Sequence, residues 1–334
     1  PPADWTGGRQ PTSGFLLNGR LAAVMDHLVY VSARTDHEDF LSVPITLAVF
    51  SGEGEGLVTG IEWKQNAWLF KKPRGVYRVD ISDLDPDNWK VLRHTQAVGL
   101  AGPLALALIQ GSDDNQFFDD VIFLAPDGSW HRLSKTQASQ EGDINATGIS
   151  ETTYGQFIRD TVEKTRLPFA QMIYIDEMEE IQAALTEIGA NTNKLRIKCN
   201  LKRLPEFGLR FHHANYPECE ALALKLDDDG LKRPIAGTST GHVRQLQQAV
   251  YSDAGAAYTS EFYTHDDDFG DLGIDHQLAF KNYHFLVVEG IAVGDWNLNI
   301  EVYIDGVLQT TVLTVPLKGS GATSFVLGTS ALDT

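Results

Sequence analysis

Cysteine is nearly missing from this chain, with only Cys199 and Cys219 in 334 residues. Neither stands in a CxxC pair, and two cysteines make a zinc site only with histidines beside them. His212 and His213 lie between the two, but the spacing fits no zinc module. Two small buried thiols in strands of a reducing-compartment protein are expected instead. No cofactor is implied.

Cations are short as well. Lys and Arg number 27 against 45 Asp and Glu, giving a formal net charge of −18. A protein that grips nucleic acid neutralises phosphates with Lys and Arg, so this balance speaks against a grip. It suits a surface past which DNA slides without sticking, and it suits plain solubility. Long apolar runs are missing too, none approaching the roughly 18 to 20 residues of a transmembrane helix. The opening PPADWTGGRQP has no basic start followed by an apolar stretch, so no signal peptide is expected. A first residue of Pro rather than Met points to a processed chain or to part of a longer one.

Familiar catalytic patterns are not found. There is no GxSxG elbow, no HExxH and no Walker loop. Asp127-Gly128-Ser129-Trp130 approaches the Asp boxes of propeller glycosidases, but those insert a residue between Asp and Gly and repeat along the chain. A glycosidase also needs two carboxylates at a set separation, which sequence does not show. The runs Asp227-Asp228-Asp229-Gly230 and Asp266-Asp267-Asp268 lack the alternating ligands of a calcium loop and read as solvated turns. Trp5, Trp63, Trp68, Trp89, Trp130 and Trp296 could line a sugar platform, but aromatics of this size are more often core and rim residues. No residue is assigned a catalytic or metal-binding role.

What is present is a repeated meander. In Val58 to Trp89 the run Ala67-Trp68-Leu69-Phe70 is too short for a helix and too continuous for a surface strand. Lys71, Lys72, Pro73, Arg74 and Gly75 then turn the chain, and Val76, Tyr77 and Val79 return on alternating positions. A strand buried on both faces within an antiparallel meander is the repeating unit of a β-propeller. Similar units are expected around the Asp26-His27 turn, around the hairpin at Asp127-Gly128, and through FAQMIYID, NKLRIKCNL and FGLRFHH. EEIQAALTEI has helical propensity, yet Ile181, Ala183 and Leu185 alternate between strands, so a strand is expected. One short helix is expected at about 152–165, with Thr152 or Thr153 as cap and Tyr154, Phe157, Ile158 and Val162 on one face.

The fold class expected is therefore all-β, with about five or six blades of roughly 40 to 50 residues each. Residues 1–258 form the propeller-like domain. Residues 259–334 carry longer alternating strands and a hairpin at Asp305-Gly306, read as a β-sandwich-like region or a final blade. Trp68, Phe70, Tyr77, Phe123 and Trp130 are the expected blade core.

One resemblance bears on function. The opening Trp5, Gly7-Gly8, Pro11, Phe15 and Gly19-Arg20-Leu21 is followed by Val58-Thr59-Gly60-Ile61, Trp63-Lys64, Trp68-Leu69-Phe70-Lys71 and Val76-Tyr77-Arg78-Val79. Gly99, Gly102-Pro103, Val121–Leu124 and Asp127-Gly128 come next, then RPIAGTSTGHVRQL and AAYTSEFYTHDDDFG. In that order these elements resemble the propeller region of tailed-bacteriophage nozzle and tail-stabilisation proteins. The resemblance implies a non-enzymatic virion subunit at the tail or head-to-tail connection. It would stand as a homo-oligomeric ring around passing genomic DNA, without sequence-specific binding, and dock other tail or connector proteins. Nozzle proteins are typically much longer, which leaves open a shorter adaptor, a tail-side component or a receptor-binding propeller. A receptor- or glycan-binding propeller on a virion is the alternative reading, a propeller glycoside hydrolase a further one. Lys71, Lys72 and Arg74 are candidate subunit contacts. Asp36, Glu38, Asp39, Glu53, Glu55, Asp266, Asp267 and Asp268 are candidate acidic residues facing the lumen or a neighbouring subunit.

Overall fold

The computed structural model describes residues 2, 5, 9–42, 45–53, 55–109, 119–136, 148–150, 154–201, 210–214 and 218–246, and the strands of a paired ribbon between 287 and 326. The chain is all-β and divides into two compact units, Pro1–Val250 and Tyr251–Thr334. Among the described residues of the first unit, five antiparallel sheets follow one another along the chain, each a propeller-like meander whose strands pair in sequence order. Sheet one holds β1 (Ser13–Leu17), β2 (Arg20–Met25), β3 (Leu28–Val31) and β4 (Ile45–Ala48). Sheet two holds β5 (Leu57–Trp63), β6 (Asn66–Lys71), β7 (Val76–Asp80) and β8 (Val91–Thr95). Sheet three holds β9 (Leu106–Ile109), β10 (Asp120–Leu124) and β11 (Trp130–Arg132). Sheet four holds β12 (Gln171–Ile175), β13 (Glu180–Thr186), β14 (Asn193–Asn200) and β15 (Arg210–Ala214), and sheet five β16 (Ala221–Leu226), β17 (Lys232–Gly237) and β18 (Val243–Gln245).

Turn chemistry sets these registers. Asn18-Gly19 closes the first hairpin with both residues at positive φ, the geometry that a two-residue turn needs and Asn-Gly tolerates. Gly128, at φ +92, turns the longer connection between Leu124 of β10 and Trp130 of β11. Alternation then assigns the faces. On β6, Ala67 and Leu69 point to sheet one and pack with Val24, Val29, Leu47, Tyr77 and Trp89. Trp68 and Phe70 point the other way and join Phe123, Trp130 and Ile197 in the largest core cluster. Burying a side chain such as Phe70 contributes about 1.5–3 kcal/mol, so one six-residue strand ties three sheets together. First strands of neighbouring meanders lie side by side, β1 beside β5, β9 beside β12 and β12 beside β16.

Glycine makes the closest approaches possible. A Cβ on Gly60 would stand 2.5 Å from the Phe15 ring, so β1 closes on β5 only because the side chain is missing. Gly99 and Gly102 are tighter against backbone, with a Cβ 2.3 Å from the Lys71 and Pro168 carbonyls respectively.

Some elements depart from expectation. EEIQAALTEI is a strand, β13, because pairing on both edges outweighs helical propensity. The helix α1 covers only Gly155–Thr161. Val162 leaves it in extended geometry and bridges to Glu187, and a 3₁₀ stretch with Pro168 inside follows at Lys164–Phe169. Thr152 and Thr153 lie outside the described residues, and Tyr154 stands at the cap position without a side-chain capping bond, its hydroxyl bonded instead to His213.

In the second unit the described strands pair as nested antiparallel partners of one ribbon. They are β19 (Val287–Val288) with β26 (Phe325–Val326), β20 (Ala292–Val293) with β25 (Ser320–Gly321), β21 (Trp296–Ile300) with β24 (Leu313–Leu317), and β22 (Tyr303–Ile304) with β23 (Val307–Leu308). Asp305-Gly306 lies outside the described residues, between the pairs Ile304↔Val307 and Tyr303↔Leu308. The expected strand in AAYTSEFYTHD also lies outside them.

Candidate functional site

The most elaborate polar arrangement joins sheets one and two. Alternation carries Lys71 onto the same inward face as Ala67 and Leu69, so its stem is fully buried. Its Nζ donates to the carbonyls of Phe50 (2.7 Å) and Glu53 (2.9 Å) and stands 5.3 Å from the Tyr77 ring centre. Burial lowers its pKa from the ordinary lysine value. The Glu53 carboxylate accepts from Tyr77 Oη (2.9 Å), Gln96 Nε2 (2.8 Å) and the Arg93 guanidinium. Phe50 stacks on Tyr77 at 5.4 Å, and Arg93 lies over the Phe50 ring. Burial pushes the Tyr77 hydroxyl pKa up. The arrangement pins the Gly-rich connection between the two sheets, and its donors and acceptors are spent on one another. It is a clamp and not a reaction centre.

This corrects the reading of Lys71 as a subunit contact, since an ammonium bonded to buried carbonyls offers nothing to a neighbour. Lys72 is half-buried and Arg74 exposed on the same turn. Glu53 likewise belongs to the clamp, not to a free acidic loop. Asp36 and Asp39 shape their own loop: Asp36 Oδ1 accepts from the Glu38 amide, and Asp39 Oδ1 from the Leu41 and Ser42 amides, each at 2.9 Å. The Ser42 hydroxyl, which donates to Asp39 Oδ2, and then the Ser42 amide hold the Asp39 carboxyl below its ordinary value. Glu38 and Glu55 are exposed. Asp266, Asp267 and Asp268 lie outside the described residues.

Three further clusters carry titratable groups. Ser129 Oγ lies 2.5 Å from Asp127 Oδ1 and 2.7 Å from His131 Nε2. With one hydroxyl proton directed at the carboxylate, the serine accepts from the imidazole. That is the reverse of an activated nucleophile. Asp120, fully buried, accepts from Arg132 Nε (2.9 Å), Ser134 Oγ (2.5 Å) and two backbone amides, and locks the end of β10. On sheet four one face is polar. Glu180 meets Gln182 Nε2 at 2.6 Å, with Lys198 Nζ and His212 Nε2 each at 3.9 Å and Arg196 on the same face. Burial lowers the pKa of Arg196, Lys198 and His212. Sequence reasoning missed this row. Its signal was the polar half of the alternation whose apolar half marked the strand.

The other candidates fall into place as structure. Asp227 accepts from the Asp229 and Leu231 amides and from Arg233 Nε at 3.0 Å, which closes the turn between β16 and β17. Among the described residues no three of His, Cys, Asp and Glu gather as metal ligands. Cys199 packs in the cluster between sheets three and four, while Cys219 packs with Leu222 and Ala236 toward sheet five, and burial pushes the thiols up to about 12 and about 11. Trp63, Trp68, Trp89, Trp130, Phe70, Tyr77 and Phe123 are all buried. A shallow open groove of about 500 Å³ runs between β4 and β8, lined by Leu47, Phe50, Trp89 and Val91 among others.

No protein-family model matches the chain, and no curated protein is similar to it. Among solved structures it is similar to a chain in the crystal structure of the mitotic checkpoint complex, with TM-score 0.39 and 11% identity over 70% of this chain and 60% of that one. It is similar also to the N-terminal domain of Nup159, with TM-score 0.39 and 7% identity over 72% and 61%. The chain thus spans about three fifths of each of these structures. Likeness of this degree carries no argument about function.

Proposed function

We propose that this chain is a non-catalytic structural subunit of a tailed-bacteriophage virion. It stands in a homo-oligomeric ring at the tail or head-to-tail connection, docks neighbouring virion proteins, and lets genomic DNA pass without sequence-specific binding. The reading rests on the ordered resemblance to nozzle-type propellers. One observation carries it: several residues of that resemblance fall where the fold leaves little freedom. Gly60 lies under Phe15, Trp68 and Phe70 are buried in the core, and Gly99 and Gly102 press against backbone carbonyls.

The polar chemistry supports a scaffold. Lys71, Glu53, Asp120 and Asp227 are each engaged by groups of the same chain. The buried tryptophans do not offer a sugar platform, and the Ser129 hydroxyl points its proton away from the imidazole. The test is the protein composition of purified native particles. The chain should co-purify at a fixed multiple per particle through density-gradient centrifugation and high salt. Its absence from particles of a host that makes it would end this reading.

A further inference from the structure

Strand directions in sheets one and two sort the charged loops to opposite ends. β1 and β5 begin at the same end, with Ser13 Oγ bonded to the Val58 carbonyl at 2.7 Å. The Asp26 turn, the 49–56 connection and the Lys71–Gly75 turn all lie there. The 32–44 and 81–90 loops lie at the far end, where the Ile81 amide meets the Gln65 carbonyl.

The two ends differ in charge. At the far end Asp36, Glu38, Asp83, Asp85 and Asp87 are exposed, and with Asp39 and Asp80 they outnumber Arg20, Arg34, Lys64 and Lys90. Of those cations, Lys64 is held by Asp119 and Arg20 by the Ser32 carbonyl. At the near end the arrangement is reversed. Arg9 is tied to Asp26 and Arg93 to Glu53, while Lys72 and Arg74 make no ion pair among the described residues. Glu55 is the opposing exposed acid there.

The turn that carries the two cations is braced. The Lys71 amide bonds to the Gly75 carbonyl and the Gly75 amide to the Val98 carbonyl, each at 2.9 Å. Gly99 packs against the turn, a Cβ there standing 2.5 Å from the Pro73 carbonyl, and the buried Lys71 ammonium holds its root. On a braced turn the backbone is already ordered, so docking immobilises only the Lys72 and Arg74 side chains. The acidic loops are fixed as well: Asp83 Oδ1 accepts from the Asp85 amide at 2.9 Å and Asp85 Oδ1 from the Asp87 amide at 3.1 Å.

We propose that Lys72 and Arg74 form a docking surface for a second copy of this chain, seated head to tail on that copy's acidic loops at Asp36–Glu38 and Asp83–Asp87. Charge complementarity selects this partner. Like ends repel, so two copies meet through unlike ends, and each leaves one unlike end free for the next. The proposal deepens the ring reading and rests on it only for the final closed assembly. Salt weakens the contact, because both surfaces are exposed.

The test is sedimentation of the purified chain by analytical ultracentrifugation at low and high salt, with melting curves for each variant. Wild type should associate at low salt and dissociate as salt rises. The double variant K72E/R74E should melt like wild type and associate at least roughly tenfold more weakly. A variant E38K/D87K, whose carboxylates accept no hydrogen bond among the described residues, should associate more weakly alone and recover association when mixed with K72E/R74E, because the charges are exchanged. A monomeric wild type at low salt, association unchanged by K72E/R74E, or a mixture that stays monomeric would each overturn the proposal. So would binding of duplex DNA lost in K72E/R74E without self-association. If the chain self-associates this way yet is not found in particles, the interface stands and the virion reading fails.

Discussion

Sheets two and four are built alike and spend their polar residues differently. Each is a four-stranded meander whose second strand is buried on both faces. In sheet two the faces of β6 are apolar from Ala67 to Phe70 and polar only at the ends, Asn66 and Lys71, where Lys71 reaches loop carbonyls beyond the sheet edge. In sheet four Glu180, Gln182, Arg196 and Lys198 spread across one face of the sheet, while Ile181, Ala183, Ile197 and Cys199 fill the other. A cation at a strand end finds carbonyls without breaking the packing. Charges in mid-face must be desolvated together, and their mutual attraction offsets that cost only in part. Sheet two is therefore a rigid junction, and sheet four a face whose stability depends on its ionic partners.

The sharpest way to break the junction is steric. Gly99→Ala or Gly102→Ala places a Cβ on a backbone carbonyl, and each should cost about 3 kcal/mol or more in chemical denaturation. Gly52→Ala, with nothing within 4 Å, should stay within about 0.5 kcal/mol of wild type. Equal effects at Gly52 and Gly99 would remove the packing argument.

Next in size is the buried lysine. Lys71→Met keeps the stem and leaves the Phe50 and Glu53 carbonyls without their donor, a loss of about 1–3 kcal/mol by denaturant melts. Lys198→Met on sheet four removes a cation from beside Glu180, and the loss should shrink when Glu180→Gln is added. Additive effects would mean the two groups are not coupled.

The pH dependence sharpens the same contrast. Burial lowers the Lys71 pKa, so the folded chain holds fewer protons than the unfolded chain in the window just below the ordinary value of 10.5. Its contribution to stability rises with pH through that window and is lost as pH falls through the lowered value. Wild type should gain on Lys71→Met as pH rises toward 10.5. The buried thiols act in the opposite sense. Raised to about 12 and about 11, they stabilise fully below the unfolded value of 9.0 and lose that contribution as pH climbs toward the folded values. The smallest effect is kinetic: Cys199 and Cys219 should resist alkylation near pH 8 in the native state and react at once in denaturant. Rapid native labelling would contradict their burial.

Much of this was legible in sequence, for reasons that can be named. Ala67–Phe70 showed its two-faced burial because four consecutive apolar residues between turns leave few alternatives. Asp127-Gly128 marked its hairpin because few residues accept the positive φ that Gly128 adopts, while the Asn18-Gly19 turn, a signal of the same kind, was missed. The direction of Lys71 was not legible. A basic turn reads as surface, and only the 50–53 connection, some twenty residues earlier, supplies the carbonyls that draw it inward. The partners of Glu53 were hidden for the same reason, since Arg93 and Gln96 lie 40 and 43 residues away. The early end of α1 was hidden in a residue-to-residue bridge, Val162 to Glu187, that no local pattern announces.

Electron microscopy of the native particle, with the chain located by a bound antibody fragment, tests the virion assignment most directly. The expected result is density for this propeller in a ring at the tail or head-to-tail connection, with DNA passing through the opening. A chain found only as monomers, which never enters a particle, would contradict it.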